Sequence, residues 1–200
     1  MSLAWMAQGY EFFLAQSKLN DDADLDGPSR LPGWTGKHLL SHVGHNARAL
    51  GRLAHWARTG EPTPMYPSPD ARVREIEAGA AWPVSRLREF VEDEQEVLSA
   101  ALAGFTEQMW SAEVVTAQGR TVPATTIPWL RAREVWIHAC DLPFPADFAG
   151  MPVDFLDTLI QDALARRTAQ GLAPDIARWL TGRGTTPATG QPSGPLPPWL

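Results

Sequence analysis

Apolar residues recur at helical spacing along most of the chain, and polar or proline-rich breaks separate the runs. Met6, Tyr10, Phe13 and Leu14 predict a first helix over about residues 3–18. The polar stretch Asn20–Arg30, ending in Gly27-Pro28 and Ser29, reads as a loop. A second helix is predicted from just after Pro32-Gly33 to about Thr59, on the stripe Leu39, Val43, Ala47, Leu50, Leu53 and Ala57. Gly60 stops it, and the prolines at 62, 64, 67 and 69 make a stiff connection. A third helix, about 69–103, carries Val73, Ile76, Leu87, Val91 and Leu98; Gly79 and Pro83 should kink or break it.

The pattern changes between Ser111 and Ile127. Val114-Val115-Thr116 and Thr121-Val122 flank Gln118-Gly119, the signature of a short hairpin. A fourth helix should begin at Pro128 and run to about Leu142, ended by Pro143 and Pro145. A fifth helix (Phe155, Leu159, Leu164) and a short sixth (Ile176–Leu180) follow. The last twenty residues, rich in Pro, Gly and Thr, read as an extended tail. The expected fold is all-α: a four-helix up-down bundle over residues 1–150 with a β-hairpin insertion, then a helical segment over 151–200.

Composition narrows the function classes. Of 200 residues, 44% are hydrophobic and 20% charged, which supports a packed core rather than disorder. A formal charge of −6 argues against nucleic acid as a partner. No apolar run is long enough to span a bilayer, and the N-terminus lacks a signal-peptide core; a cytoplasmic location is the expectation. The single cysteine, Cys140, excludes an intramolecular disulfide and fits a reducing compartment. Its expected role is packing, since it lies on a different helix face from His138.

Two groups of polar residues sit on apolar stripes. Glu134 and His138, at i and i+4, stack about 40° apart on one helix face at roughly 100° per residue. Ile127, Leu130, Ile137 and Asp141 share that face. A buried carboxylate needs a cation or strong donors, and a metal ion supplies both. The competing readings are a plain Glu–His hydrogen bond, or Glu134 paired with Arg131 or Arg133 on a solvated face. The second group is His38-x3-His42-x2-His45. His42 borders the apolar stripe, whereas His55 points nearly opposite. Joined to Glu134 and His138, His42 would complete a His2Glu set with an open position, the ligand count of catalytic zinc; other divalent transition metals remain compatible.

Leu31-Pro32-Gly33-Trp34-Thr35, followed by His42-x3-Asn46-Ala47-x-Ala49-Leu50, resembles the mycothiol-dependent maleylpyruvate isomerase family, a branch of the DinB-like four-helix bundles. Arg133-Glu134-Val135-x-Ile137-His138-x2-Asp141-Leu142 resembles its second signature, and Arg72-x-Arg74-Glu75-Ile76-Glu77-Ala78-Gly79-Ala80 with Pro83 its third-helix region. The resemblance covers about residues 5–145. It implies that His42, Glu134 and His138 ligate zinc and that His38 and His45 do not. It also implies mycothiol as thiol cosubstrate and a small electrophilic substrate. The bound thiol, held as thiolate, would add to a cis double bond, allow rotation, and leave to give the trans isomer.

By the same resemblance Arg72 is the first candidate for a substrate-binding arginine and Arg74 the second. Asp141 is a candidate partner for an imidazole, and Asn46 for orienting a ligand. Trp34, Trp129 and Trp136 are assigned to the core. The family's isomerases usually carry a further C-terminal αβ domain. Here Asp175–Arg183 and Gly194–Leu200 look like remnants of its end without its sheet. A mycothiol S-transferase acting on electrophiles, or a non-catalytic metal or thiol sensor, are the alternative functions, in a monomer or homodimer.

Overall fold

The computed structural model describes residues 2–182. Its helices are α1 (Ser2–Leu19), α2 (Asp22–Asp26), α3 (Gly36–Thr59), α4 (Pro69–Ala80), α5 (Val84–Ala103) and α6 (Glu107–Ser111). After β1 (Glu113–Val115) and β2 (Thr121–Pro123) come α7 (Ile127–Ala139), α8 (Val153–Arg167) and α9 (Ala173–Leu180). The chain divides into two compact units, Met1–Gly150 and Met151–Leu200. In the first, α1 packs on α7, and α3 on α4, α5 and α7, so α1, α3, α5 and α7 form a four-helix bundle. Phe13, Leu39, Leu40, Val43, Leu87 and Val135 meet at its centre.

Local chemistry sets the boundaries. Thr35 caps α3 by accepting from the His38 backbone N–H, and the His38 ring accepts from the Thr35 N–H through Nδ1 at 3.2 Å, a capping box closed by histidine. Gly60, at φ 77°, ends the helix in the left-handed conformation. The long third helix of the sequence reading is two helices: Trp82 and Pro83 separate α4 from α5, because proline has no N–H to continue the ladder. The Asn20–Arg30 loop contains α2, which Asp21 and Asp24 cap reciprocally while Leu25 is fully buried. The hairpin forms with Val114 opposite Val122. Before it stands α6, capped by Thr106.

Helix α7 departs most from a simple amphipathic pattern. Every residue except Trp129 and Ile137 is buried, arginines included. At Gly9 its partner α1 comes so close that a Cβ would lie 2.5 Å from Trp136 Nε1 and 2.8 Å from Val135 Cγ2. Glycine therefore permits the contact, and Trp136 Nε1 donates to the Trp5 carbonyl at 2.9 Å.

The second unit holds α8 and α9, joined through Gly171 at φ 85°. The proposed remnant Gly194–Leu200, and nearly all of the extended tail, lie outside the described residues. No described helix is long and apolar enough to cross a membrane.

Candidate metal centre

His42 reaches inward from the second turn of α3, and Glu134 and His138 from successive turns of α7, which packs against it. The i, i+4 spacing puts the α7 pair on one face, and α3–α7 packing brings His42 to the same point. Glu134 Oε2 lies 3.0 Å from His42 Nε2 and 3.3 Å from His138 Nε2, and one donor atom from each residue falls within 4.8 Å of the others. The two imidazoles meet edge to face, 4.9 Å apart. His42 is 3% exposed, His138 5% and Glu134 9%, so the cluster is screened from bulk water.

A shell of partners fixes this arrangement. His138 Nδ1 sits 2.8 Å from Asp141 Oδ2, which holds a proton on Nδ1 and aims Nε2 at the cluster. Although 3.3 Å from Glu134, that buried Nε2 has no partner at hydrogen-bond geometry. His42 donates from Nε2 to Glu134, and its Nδ1 accepts from Arg72 Nη2 at 3.4 Å. Trp34 stacks edge-on against the His42 ring at 5.4 Å.

Burial and charge divide the protons unequally. Burial depresses the His42 imidazole to about 4, with Glu134 opposing it. Burial alone would raise Glu134; the close approach of His138 and the hydrogen bond from His42 outweigh it and hold the carboxyl well below its ordinary range. Burial likewise disfavours a charged His138, but Asp141 and Glu134 together lift it to about 9. Near neutral pH the metal-free cluster is thus a carboxylate between one imidazolium and one neutral imidazole.

These residues fit a metal ion. Two imidazole nitrogens and a carboxylate oxygen suit zinc or a similar borderline ion, and three protein ligands leave a position open. The unsatisfied Nε2 of His138, aimed into the cluster with its tautomer set by Asp141, has the geometry a ligand needs.

Other sequence candidates lie elsewhere. The His38 ring caps α3 and faces Glu77 at 3.3 Å. His45 is buried beside Phe90 and 3.8 Å from Glu75, on the α4–α5 side of α3. His55 is exposed. Arg72 reaches the cluster, whereas Arg74, two residues on and so far round the helix, is exposed. Asn46 Oδ1 accepts from Arg131 rather than facing the cluster. Burial holds the Cys140 thiol up at about 11, in keeping with a packing role.

Trp34, half-buried, packs against the hydrophobic core as expected and also forms a wall of the centre. A pairing of Glu134 on a solvated face is excluded by the burial of α7. The sequence reading missed the part played by two residues. Arg131, fully buried one turn before Glu134, donates to Gln95 Oε1, the Val43 carbonyl and Asn46, tying α7 to α3 and α5. Tyr66, in the proline-rich connection, lines the same cavity as Arg72. Nothing in the spacing around Tyr66 marked it.

Fold and centre together define a helical-bundle protein with a buried His2Glu cluster of metal-binding type. The mycothiol maleylpyruvate isomerase N-terminal domain profile matches residues 7–143, a stretch that includes the three cluster residues and Arg72. The chain belongs to that family. A crystal structure of the mycothiol-dependent maleylpyruvate isomerase is 45% identical, with a TM-score of 0.82 over 85% of this chain and 71% of that one. A histidine-to-alanine mutant of the mycothiol-dependent maleylpyruvate isomerase, 44% identical, matches over the same shares with the same TM-score. Both neighbours are enzymes of one named activity. No curated protein matches the chain.

Proposed function

We propose that this protein is a zinc-dependent, mycothiol-using cis–trans isomerase of the maleylpyruvate type, acting in the cytoplasm. The observation that carries the reading is the convergence of His42, Glu134 and His138 donors within 4.8 Å in a buried, Asp141-braced cluster. Family membership supplies the thiol and the reaction class. When bound, zinc would supply Lewis acidity at its open position, lowering the pKa of a thiol held there.

The chain's own residues do the rest. Glu134 offsets the ion's charge, and Asp141 keeps the His138 Nε2 lone pair directed inward. Trp34 and the helix packing exclude water from the His42 side, which strengthens electrostatic interactions inside. In the metal-free protein Arg72 donates to His42 Nδ1. If His42 holds an ion through Nε2, its Nδ1 would carry the ring proton and would no longer accept. The guanidinium is then available to a substrate carboxylate, where it stabilises negative charge developing on the substrate.

Metal analysis of the purified protein, followed by assay with mycothiol and maleylpyruvate, tests this. Stoichiometric zinc, its loss in His42→Ala and His138→Ala, and regeneration of the thiol are the expected results. Full metal occupancy in either variant would overturn the ligand assignment. Stoichiometric consumption of the thiol would instead select an S-transferase, and zinc with no thiol chemistry a sensor or binding protein. Arg72→Ala should lower turnover and leave zinc content unchanged.

A further inference from the structure

Helix α4 carries Arg72 to the metal centre, and a second set of polar groups seats that helix on α3. Ser41 Oγ donates to the Ile76 carbonyl at 2.9 Å. A Cβ at Gly79 would overlap the same hydroxyl, so the two helices touch closely there. Glu75 follows Arg72 at i+3 and shares its face of α4, while His45 follows His42 at i+3 on α3. His45 Nδ1 lies 3.8 Å from Glu75 Oε2, and Arg52 Nη2 lies 3.5 Å from Glu75 Oε1.

Two of these groups stand unsatisfied. His45 is 5% exposed and neither ring nitrogen has a hydrogen-bond partner; Glu75 Oε2, also buried, has none. Buried polar atoms in that condition are rare and costly. The other charges around His45 are engaged, since Arg48 pairs with Glu94 at 2.7 Å and Arg52 with Glu75. Phe90 and Trp82 lie against the ring. Burial favours the neutral imidazole, which has a single N–H to give. The ring on α3 and the carboxylate on α4 each supply what the other lacks. A shortening of about 1 Å, within reach of side-chain rotation, makes the contact a hydrogen bond. Two potential ligands beside a guanidinium do not make a cation site.

We propose that His45 and Glu75 are positioning residues for Arg72: His45 donates from Nδ1 to Glu75 Oε2, Arg52 holds Oε1, and the pair fixes the turn of α4 that aims the guanidinium at the metal centre. Neither residue touches substrate. The inference rests on the role given to Arg72 in the isomerase reading. Its logic is geometric, because Arg72 stands 3.4 Å from His42 Nδ1 and a small shift of α4 withdraws it. Misplacement by about 1 Å can cost on the order of a hundredfold in rate.

The test is a double-mutant cycle on the zinc-loaded full chain. It is read in kcat/KM with mycothiol and maleylpyruvate, and in calorimetric affinity for maleate without thiol. Glu75→Ala and His45→Leu should each lower both quantities about tenfold, with zinc content unchanged. In an Arg72→Ala background neither should lower them further, whereas a merely structural defect would persist there. His45→Asn, whose amide nitrogen replaces Nδ1, should retain more function than His45→Leu, and Glu75→Gln more than Glu75→Ala. The two conservative variants carry the cycle if the truncations do not fold. Ring nitrogen shifts of His45 by NMR should show the proton on Nδ1 in the metal-free protein.

Equal losses with and without Arg72, no loss at all, or a His45 proton on Nε2 would overturn the proposal. Maleate binding that owes nothing to Arg72 would do so as well. Isomerisation that Glu75→Ala leaves untouched would discard the positioning role and keep the isomerase reading. A parent chain that does not isomerise maleylpyruvate, yet shows the cycle in maleate affinity, would do the reverse.

Discussion

Zinc affinity should climb about tenfold per pH unit between pH 7 and 9 and then level off. In the metal-free protein His138 keeps its proton up to about pH 9, because Asp141 and Glu134 outweigh the effect of burial. An ion needs the Nε2 lone pair that this proton blocks, so binding below pH 9 must expel it. His42 is already neutral in this range, and Glu134 already ionised. One proton is therefore displaced per zinc. Two pH units then correspond to about a hundredfold, or about 2.7 kcal/mol.

Asp141→Asn separates the two things Asp141 does. It removes the carboxylate 2.8 Å from Nδ1, so the proton competes less, and it loosens the imidazole's orientation. At pH 9 only the second effect is felt, and affinity should drop roughly 10–100-fold. At pH 7 easier deprotonation offsets part of that loss, so the variant's pH dependence should be shallower than the parent's. Chelator competition at fixed ionic strength gives the affinities, and calorimetry in buffers of different ionisation heat gives the protons released. Affinity that stays flat from pH 7 to 9 without proton release would refute the reasoning. So would an Asp141→Asn loss of equal size at both ends.

The same protons govern the stability of the metal-free fold. His138, raised in the folded state, contributes fully below its ordinary 6.5, and the contribution disappears as pH rises through 9, a loss of about 3 kcal/mol. His42, depressed in the folded state, carries no penalty above 6.5 but opposes folding as pH falls toward 4; Glu134 adds to that acid limb below its ordinary 4.5. Chelator-treated protein should accordingly melt highest near pH 6–7, and a melting temperature that climbs steadily from 6.5 to 9 would contradict the assignment. Arg131→Met strips donors from Gln95, Val43 and Asn46 and removes one buried cation from the field at Glu134. Urea unfolding of the metal-free protein should show a loss of about 3–5 kcal/mol, and a loss under about 1 kcal/mol would mean that Arg131 does not couple the helices.

The main helices were legible because each carries a long apolar stripe or an unambiguous stop. Gly60 ends α3 and Pro83 starts α5, consequences of backbone chemistry that need no tertiary context. Shorter elements were not. The first unit's α2 and α6 span five residues each, too few for periodicity, and they exist through the caps of Asp21 and Thr106 and, in α2, the burial of Leu25. The surroundings of α7 were misleading in another way. Arg131 and Arg133 look like solvent-facing residues in the sequence, yet both are buried, because α1 approaches α7 through Gly9 and Arg131 finds its acceptors on α3 and α5.

The sequence by itself determined that Glu134 and His138 share a helix face, since helical spacing decides that locally. It could not decide from spacing alone which of His38, His42 and His45 joins them; the family resemblance pointed to His42. Only packing shows why. Thr35 claims His38 for the cap, His45 turns to Phe90 and Glu75, and His42 alone faces α7. Tertiary structure also brought Arg72 and Tyr66, from α4 and the proline-rich connection, to the edge of the centre. Spacing governs neighbours on one helix. Which helices meet, and where, follows from how their faces pack.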